Sequence, residues 1–479
     1  MKNYKEQFKG KKITVMGLGI LGRGLGYTKF LAECGADLIV TDLKTKEQLA
    51  TSVDAIKNLV KKQSFHEAKV KFVLGEHRLE DFKGRDMIIK AAGVPLDSIY
   101  IKEAKKNGIP IEMDVSLFAK CAPDVMIVGV TGTRGKSMTT TLIYEILKSN
   151  EKFLSSSAKA TARQGKIKVY LGGNLRGIAT LPLLKKVKSG DILVCELDSW
   201  QLQGFGEAKL SPHISVFTSF MPDHMNYYKN SMEKYFDDKA NIFKYQKKDD
   251  VLIIRPGVKE FIKKSDTRGK FVVVNSEDVS NWKFNVLGIH HRENLACAVK
   301  VAEILGIPDE NIKKTIANFK DLEGRMQLLR TYNGIKIYND NNATTPEAAI
   351  AGIEALKSEN PPSLKATARQ SKIILICGGA SKNLPLDNLV KVINKNCKAL
   401  VMIPGTGTDQ LKNSLGLARR VKEINFVEGK NLNVIIKTAL GLASRGDIIL
   451  FSPAFASFGM FNNEYERNDL FIKIIKGLK

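Results

Sequence analysis

Residues 130–138 read Val-Thr-Gly-Thr-Arg-Gly-Lys-Ser-Met and follow an apolar run from Val125 that predicts a buried strand. Small residues after such a strand let backbone N–H groups close around a polyphosphate. Lys136 would neutralise the outer phosphate oxygens, and the Ser137 hydroxyl is suited to bind Mg²⁺. The pattern is shorter than the common phosphate loop, because position 130 is valine rather than glycine. It predicts an ATP site made by Gly132, Thr133, Arg134, Gly135, Lys136 and Ser137.

A second glycine-rich turn, Gly17-x-Gly19-x-x-Gly22, follows a predicted strand near the start of the chain. The next predicted strand ends at Asp42, twenty residues after Gly22. This arrangement is typical of dinucleotide-binding folds, in which the acid holds a ribose hydroxyl. One hypothesis is therefore an NAD(P)-dependent dehydrogenase. The phosphate loop at Gly132 argues against it, because a simple dehydrogenase has no use for a triphosphate site.

Two other predicted strands are followed by residues that bind hard metal ions. Glu196 comes directly after an apolar run from Ile192, and Pro222-Asp-His224 follows a run from Ile214. In a parallel α/β sheet the carboxyl ends of the strands meet at one edge, where ligands bind. Mg²⁺ prefers carboxylate oxygens together with nucleotide phosphates. From the residues alone, Glu196 is either a Mg²⁺ ligand or a helix N-cap or surface acid, and His224 is either a ligand or a hydrogen-bonded loop histidine.

Residues 232–245 have helical periodicity, and Tyr235, Lys239 and Ile242 are spaced on one predicted interior stripe. A lysine in that position needs a physical reason. Its stem could pack inside while its ammonium reaches solvent. Alternatively, burial could depress the pKa of the amine and permit covalent chemistry there. The residues alone leave both alternatives open.

The chain has 479 residues, of which 43% are hydrophobic, enough for full cores. A prior of about 150 residues per domain predicts roughly three domains. Apolar runs recur along the chain with helical patterns between them, which is typical of parallel sheets in an α/β fold. Predicted boundaries near Cys121 and within residues 320–324 divide the chain into domains 1–121, 122–322 and 323–479.

The formal net charge is +25, but the lysines are spread over many short stretches rather than one basic tail. No nucleic-acid module is recognisable, so a cationic surface without nucleic-acid binding is expected. No run of about 18 apolar residues occurs, and the N-terminus is too polar for a signal peptide. The six cysteines have no metal or redox spacing. We therefore expect a cytoplasmic protein with reduced thiols and no integral membrane association.

One hexapeptide, Lys-Ala-Thr-Ala-Arg-Gln, occurs twice, at residues 159–164 and 365–370. Two copies do not make a repeat architecture. Each copy precedes a predicted strand, and we interpret both as polar surface connections to which no function is assigned.

Further motifs resemble those of the Mur ligase family in order and spacing, and together they cover nearly the whole chain. They are Gly132-x-x-Gly135-Lys-Ser, Pro222-Asp-His-Met, Lys239-Ala-Asn-Ile-Phe, Gly288-Ile-His290-x-x-x-Asn294, Gly324-Arg325-Met, Asn339-Asp340-x-x-Ala-Thr344, Gly378-Gly-Ala-Ser-Lys382 and Ser452-Pro-Ala-x-Ala-Ser457. The resemblance implies a Rossmann-like N-terminal domain for a UDP-linked substrate, a central P-loop ATPase-like domain, and a Rossmann-like C-terminal domain for the acceptor.

The resemblance implies ATP-dependent amide ligation through an acyl-phosphate intermediate in peptidoglycan precursor synthesis. Within the family, the sequence is most similar to members that add D-glutamate to UDP-N-acetylmuramoyl-L-alanine. A member that adds L-alanine is an alternative, because its first domain is also Rossmann-like. A folylpolyglutamate synthetase is disfavoured by the glycine-rich first domain. ATP and two Mg²⁺ ions are the implied cofactors, and we expect a monomer.

The family pattern also assigns roles to residues of this sequence. A lysine fifteen residues after the histidine is carbamylated in the family, which implies a carbamate on Lys239. The implied catalytic residues are Lys136, His224 and Lys239, and the implied metal ligands are Ser137, Glu196, His224 and carbamylated Lys239. ATP would further contact Asn294, Arg325 and Asp340. The UDP-linked substrate would contact Gly19, Asp42, Lys44, Gly93, Asn174 and Gln201, and the acceptor would contact Thr344, Lys382, Ser457 and Phe458.

The sequence departs from the family pattern at Arg134, Phe220, His291 and Asn468. Arg134 would add positive charge beside the phosphates. His291 replaces an asparagine and would alter the contacts to adenine. Asn468 replaces a glycine and would reshape the C-terminal wall of the acceptor site.

Overall fold

The computed structural model of the protein describes residues 4–62, 69–156, 166–265, 270–359, 372–417, 425–429 and 431–478. The two copies of the repeated hexapeptide lie outside these described residues. The chain divides into two compact units, Met1–Ser280 with Glu293–Ile316 and Asn281–Arg292 with Ala317–Lys479. The first unit holds two sheets and the second unit holds one, so the α/β fold class is confirmed. The boundaries near residues 121 and 322 stay predictions.

The first sheet is formed by β1 (Lys12–Met16), β2 (Asp37–Asp42), β3 (Lys69–Leu74), β4 (Met87–Lys90) and β5 (Ile111–Glu112). All its strands are parallel, in the order β3-β2-β1-β4-β5. Its helices are α1 (Arg23–Glu33), α2 (Ala50–Lys62), α3 (Ile99–Lys106) and α4 (Asp114–Cys121). Because the strand order reverses between β1 and β4, the glycine-rich turn after β1 borders a crevice suited to a nucleotide.

The second sheet is formed by β6 (Met126–Thr131), β7 (Val169–Gly173), β8 (Ile192–Glu196), β9 (Ile214–Phe217), β10 (Val251–Ile254) and β11 (Lys270–Val273). It is parallel throughout, in the order β11-β10-β9-β6-β8-β7. Its helices are α5 (Lys136–Ser149), α6 (Glu151–Ser156), α7 (Ser199–Ala208), α8 (Met232–Ala240), α9 (Lys259–Lys263), α10 (Ile289–Ile304) and α11 (Asp309–Ala317). Because β6 lies between β8 and β9, the three segments predicted to bind ATP and metal leave the sheet at one edge.

The third sheet is formed by β12 (Gln327–Tyr332), β13 (Ile335–Asn339), β14 (Ile373–Gly378), β15 (Cys397–Ile403), β16 (Asn425–Glu428) and β17 (Ile448–Phe451). Its order is β12-β13-β17-β14-β15-β16, and the β12–β13 pair alone is antiparallel within the described part of this sheet. The helices of this unit are α12 (Pro346–Glu359), α13 (Asp387–Asn396), α14 (Thr406–Leu417), α15 (Leu432–Leu442) and α16 (Glu464–Lys476). None of the helices in the described ranges is long and apolar enough to cross a membrane.

The helix predicted over residues 232–245 ends earlier than expected, at Ala240. Beyond that point the chain forms turns whose carbonyl groups bind side chains from elsewhere, since Ser215 Oγ donates to Ile242 O at 2.7 Å. Tertiary hydrogen bonds of this kind satisfy the backbone in place of a further helical turn.

A buried polar network joins the end of β4 to α7 and α8. Lys90 Nζ donates to Val94 O at 2.9 Å and, more weakly, to Gln203 Oε1 at 3.5 Å. Gln203 Nε2 donates to Asp238 Oδ2 at 2.8 Å. Burial lowers the pKa of the Lys90 amine to about 8. The network therefore ties the strand beside the glycine-rich turn to the helix that carries Lys239.

Candidate active site

The phosphate loop, residues 131–136, connects β6 to α5. Gly132 and Gly135 have φ angles of +147° and +87°, which favour glycine. A Cβ atom at Gly132 would also lie 2.1 Å from Thr218 Oγ1, so a larger residue does not fit. The loop presents the N-terminus of α5, where unpaired N–H groups and the helix dipole attract phosphate.

Arg134 is anchored in this loop by neighbouring segments. Its guanidinium NH1 lies 3.0 Å from Asp223 Oδ2. Its backbone N–H donates to Ser219 Oγ at 2.8 Å, and the Thr133 N–H donates to Ser219 O at 2.7 Å. The expectation that Arg134 simply adds positive charge beside the phosphates is therefore revised, because Asp223 offsets that charge. The arginine instead holds the phosphate loop to the segment that carries His224.

Two lysine side chains converge on one carbonyl oxygen of the phosphate loop. Lys136 Nζ donates to Gly132 O at 3.0 Å, and Lys239 Nζ donates to the same oxygen at 2.9 Å. Burial lowers the pKa of both amines, and the charge of Lys136 lowers the pKa of Lys239 further. Two ammonium groups at one carbonyl repel each other. A neutral or acylated Lys239 would remove that repulsion.

Lys239 lies on the predicted interior stripe, and the burial of that stripe is confirmed. Lys239 is 1% exposed, and its neighbours Tyr235 and Ile242 are buried as well. Its amine lies 4.9 Å from the centre of the Tyr235 ring. The alternative in which the ammonium reaches solvent is therefore wrong. A buried amine with a lowered pKa is available in its neutral form, which is the form that reacts with CO₂.

Glu196 lies at the carboxyl end of β8 and is 4% exposed. Its Oε1 accepts a hydrogen bond from Asn174 Nδ2 at 3.4 Å, whereas its Oε2 has no hydrogen-bond partner among the described residues. A buried carboxylate oxygen without a partner is costly, and a cation beside it would remove that cost. The residues present thus fit Mg²⁺, which takes hard oxygen ligands.

The predicted metal ligands do not form a dense cluster of titratable side chains. Across the residues that the structure describes, no three His, Cys, Asp or Glu side chains are grouped to hold a metal ion. The predicted Mg²⁺ site does not require such a group, because only two of its protein ligands, Glu196 and His224, are His, Cys, Asp or Glu residues. The other oxygens would come from Ser137, a carbamate and the nucleotide, as is usual for Mg²⁺ with phosphates.

His224 has an unusual backbone conformation, with φ +55° in the left-handed region. Such a conformation costs of order 1–3 kcal/mol in a residue other than glycine and is concentrated at functional sites. Asp223 Oδ1 accepts the His224 backbone N–H at 3.0 Å. The imidazole packs against the Trp200 ring, with ring centres 4.7 Å apart. The backbone and the aromatic contact together set the direction of the imidazole.

The first glycine-rich turn is closed by the acid predicted to hold a ribose. Asp42 Oδ2 accepts the Gly19 N–H at 2.8 Å, and Asp42 Oδ1 accepts the Lys44 N–H at 2.9 Å. Gly93 lies in the exposed turn after β4, which neighbours β1 in the sheet. The structure therefore brings these four predicted substrate residues to the carboxyl ends of adjacent strands.

Asn174 and Gln201 are supplied to the same region by the second sheet. The Asn174 N–H donates to Glu196 O at 2.7 Å. In the amide orientation that satisfies both of its groups, Gln201 donates to Glu196 O at 3.1 Å and accepts from Arg23 NH1 at 3.3 Å. Arg23 was missed by the sequence analysis, although its position directly after Gly22 was a signal. It links the glycine-rich turn to the predicted substrate residue Gln201.

Asn294 lies beside the phosphate loop within the first unit. A Cβ atom at Gly135 would approach Asn294 Oδ1 to 2.4 Å, and this oxygen has no hydrogen-bond partner among the described residues. The residue is 2% exposed. A buried amide with an unused acceptor next to a phosphate loop is consistent with the predicted contact to ATP.

The other residues predicted to bind ATP lie in the second unit. Asp340 Oδ2 accepts from Ser452 Oγ at 2.9 Å, and Asp340 Oδ1 accepts the Met326 N–H at 3.3 Å. Burial raises the pKa of Asp340 to about 7. His291 is buried, and this burial lowers the pKa of its imidazole well below 6.5, helped by the charge of Arg325. His291 is therefore a neutral ring at physiological pH.

The predicted acceptor residues lie on three loops of the second unit, which follow β13, β14 and β17. Lys382 Nζ lies 3.4 Å from Thr344 Oγ1. The loops after β14 and β17 are joined where Ala380 and Ala456 exchange backbone hydrogen bonds at 2.9 and 3.0 Å. Ser457, next to Ala456, is buried. Phe458 is 61% exposed and is thus free to contact a ligand.

Asn468 fills a space beside these loops. Its Oδ1 accepts from Asn339 Nδ2 at 2.9 Å, and its Nδ2 donates to Glu323 Oε1 at 2.7 Å. A glycine could make neither side-chain bond. The departure from the family pattern therefore adds a hydrogen-bonded bridge between β13 and the segment before Gly324.

Three family profiles match successive parts of the chain. The profile of the N-terminal domain of MurD-like Mur ligases matches residues 11–112. The profile of the Mur ligase middle domain matches residues 130–294. The profile described as Mur ligase, glutamate ligase domain matches residues 324–455. The three matches follow the order of the three sheets.

Curated proteins and solved structures of Mur ligases are also similar to this chain. The UDP-N-acetylmuramoylalanine--D-glutamate ligase of Roseiflexus sp. (strain RS-1) is 33% identical over 98% of this chain and 99% of its own. The protein of that name from Borreliella afzelii (strain PKo) is 30% identical over 98% of both chains. The structure of UDP-N-acetylmuramate-alanine ligase MurC from Thermotoga maritima has a TM-score of 0.59 at 17% identity, and the match covers 98% of this chain and 100% of that one. The structure of MurF ligase from the same organism in complex with ADP has a TM-score of 0.54 at 17% identity, and the match covers 92% of this chain and 95% of that one. Both structures have the same fold as this chain.

Proposed function

The chain belongs to the Mur ligase family, and from that premise we propose that it joins D-glutamate to UDP-N-acetylmuramoyl-L-alanine while converting ATP to ADP and phosphate. Relatives named for this activity match nearly the whole chain at 29–33% identity. The proposed product is a peptidoglycan precursor. We propose that the protein acts in the cytoplasm, as a monomer.

The observation that carries the proposal is the arrangement around the phosphate loop. The buried Lys239 and the half-buried Lys136 meet at Gly132 O, and a buried carboxylate with an unpartnered oxygen among the described residues ends the adjacent strand. A dehydrogenase needs none of these groups. An enzyme that moves a phosphoryl group onto a carboxylate needs cations and metal ligands gathered around a triphosphate.

The chemistry explains why those groups are needed. A carboxylate resists attack by an amine, because it is anionic and its leaving group would be oxide. Transfer of the γ-phosphoryl group to a carboxylate oxygen breaks its bond to ADP and forms an acyl phosphate. The acceptor amine then attacks the acyl carbon, loses a proton and expels phosphate. Lys136 would hold the γ-phosphoryl oxygens, and this chain's task is to neutralise and align the crowded anions.

Mg²⁺ would be held by Ser137, Glu196, His224 and carbamylated Lys239. When bound, the metal ions would neutralise phosphate oxygens and hold the nucleotide beside the substrate carboxylate. Glu196 supplies a buried oxygen without a partner, and Trp200 and the left-handed backbone orient His224.

The acceptor site gives the first prediction. Lys382→Ala should raise the KM for D-glutamate by about 10–100-fold, because it removes a charge-assisted contact to an acceptor carboxylate. The KM for ATP should change little. Steady-state phosphate release with varied D-glutamate measures both constants.

The matched control is Lys391→Ala, which removes an exposed lysine from α13 in the same unit. It should behave as wild type. D-glutamate, L-glutamate and L-alanine are compared in the same assay, since handedness rests on similarity to the named relatives. Addition of L-alanine to UDP-N-acetylmuramate would replace the proposal with the activity of the alternative member of the family.

The first glycine-rich turn separates the ligase from the dehydrogenase hypothesis. We expect saturable calorimetric binding of UDP-N-acetylmuramoyl-L-alanine that excess NADH does not displace. Lys44→Ala should weaken this binding several-fold, because it removes an ammonium group predicted to contact the UDP-linked substrate but keeps the backbone N–H that donates to Asp42. Lys46→Ala, at an exposed position, should not weaken it. Tight binding of NADH without response to the UDP-linked compound would contradict the ligase proposal.

A further inference from the structure

Trp200 is a candidate substrate contact that the family pattern does not assign. It is the second residue of α7, four residues after Glu196 and one before Gln201. Its indole Nε1 is buried and has no hydrogen-bond partner among the described residues. An unpaired buried N–H is costly, because it has given up its hydrogen bond to water. An acceptor from outside the chain would remove that cost.

The surroundings of the indole indicate which ligand supplies the acceptor. One neighbour is the His224 imidazole, a predicted metal ligand, at 4.7 Å between ring centres. A second is the Tyr227 ring, which meets the indole edge to face at 5.6 Å and 83°. The next residue along the helix, Gln201, is linked to Arg23 at the glycine-rich turn. The indole thus contacts a predicted metal ligand, and its residue is next in sequence to a predicted UDP-substrate residue on the same helix.

A molecule that spans these two places must carry the reacting carboxylate to the metal while its nucleotide occupies the first crevice. The UDP-linked substrate of the proposed function does so, and its phosphate, hydroxyl, amide and carboxylate oxygens are all acceptors. We propose that Trp200 Nε1 donates a hydrogen bond to an oxygen of the UDP-linked substrate, and that the face of the indole positions His224. This inference rests on the proposed function.

Two substitutions separate the two roles. Trp200→Phe keeps an aromatic ring beside His224 but removes the N–H. We expect its KM for UDP-N-acetylmuramoyl-L-alanine to rise about tenfold, with kcat and the KM values for ATP and D-glutamate close to wild type. Trp200→Leu removes the ring as well, and it should also raise the Mg²⁺ concentration needed for half-maximal activity. A merely structural role would lower the thermal stability or the active fraction without a selective change in one KM.

Fluorescence tests the contact without turnover. The chain has two tryptophans, so Trp282→Phe leaves Trp200 as the single tryptophan, whose emission can be excited selectively over that of tyrosine. Its emission should change saturably on addition of UDP-N-acetylmuramoyl-L-alanine. A wild-type KM in Trp200→Phe, or no change of emission at saturating substrate, would overturn the substrate contact. Equal Mg²⁺ requirements for the Phe and Leu variants would overturn the positioning of His224. If wild type makes no D-glutamyl product, the proposed function fails, while the emission of Trp282→Phe still tests binding.

Discussion

Lys136→Ala is expected to lower kcat by about 10²–10³-fold while the protein stays folded. In the structure the Lys136 amine bridges Gly132 O and Thr133 O at 3.0 and 3.2 Å, inside the turn that would surround a triphosphate. Bound phosphate would offer stronger, charged acceptors at that place. Because charge builds up on the γ-phosphoryl oxygens during transfer, loss of the lysine affects the rate more than the binding of ATP.

Lys148→Ala is the matched control, because Lys148 lies on the same helix but is exposed and pairs with Glu151 at 2.8 Å. Surface ion pairs of this kind contribute little, so activity and stability should stay close to wild type. Circular dichroism checks that both variants are folded. Turnover like that of wild type in folded Lys136→Ala would show that the loop does not take part in catalysis.

The apolar runs from Val125, Ile192 and Ile214 are the strands β6, β8 and β9 of the structure. Each of these strands lies between two other strands and is buried along nearly its whole length. Strands such as β3, β11, β12 and β16 were not predicted, and all four are edge strands within the described sheets. An edge strand is half exposed and carries polar residues, such as Lys69 and Lys71 in β3. Its sequence therefore lacks the continuous apolar run by which a central strand is predicted.

The site was predicted from residues whose types are suited to binding phosphate or metal ions. The glycines of the phosphate loop, Glu196 and Lys239 could be placed because a strand end or a helical stripe fixes where each side chain goes. The partners of these residues could not be predicted. The pairing of Arg134 with Asp223 joins segments 89 residues apart, and it follows from the position of β9 beside β6. Sequence spacing carries no such information.

The strained backbone of His224 and the position at which α8 ends could not be predicted from the sequence either. The left-handed conformation of His224 has no sequence signal, because histidine adopts it only where the surroundings impose it. The apolar residues that follow Ala240 extend the helical pattern. The helix nevertheless stops, since Ser211 Oγ donates to Asn241 O at 2.8 Å and takes the place of a helical partner. These outcomes depend on tertiary neighbours rather than on local propensity.

Lys239→Ala is expected to lower kcat by about 10²-fold or more, and added acetate should restore part of the lost activity. The reason is that a carbamate at this position would carry negative charge and oxygen ligands to the metal site, whereas alanine carries neither. A small carboxylate could enter the space left by the side chain and replace the lost oxygens. Lys234→Ala, at an exposed position of the same helix, should neither lose activity nor respond to acetate.

Carbamylation can be tested directly, because the neutral amine attacks CO₂, forms an N–C bond and releases one proton. The lowered pKa of Lys239 makes its neutral form available at a pH at which an exposed lysine is fully protonated. As the pH falls through that lowered pKa the amine gains a proton, so carbamate and activity should both decline.

Protein equilibrated with ¹³CO₂ should show a carbamate ¹³C resonance that Lys239→Ala lacks, and removal of CO₂ should lower wild-type activity. A bare amine in the liganded enzyme, with activity indifferent to CO₂, would show that Lys239 acts as a cation. In that case its position 2.9 Å from Gly132 O would make it a second clamp on the phosphate loop beside Lys136.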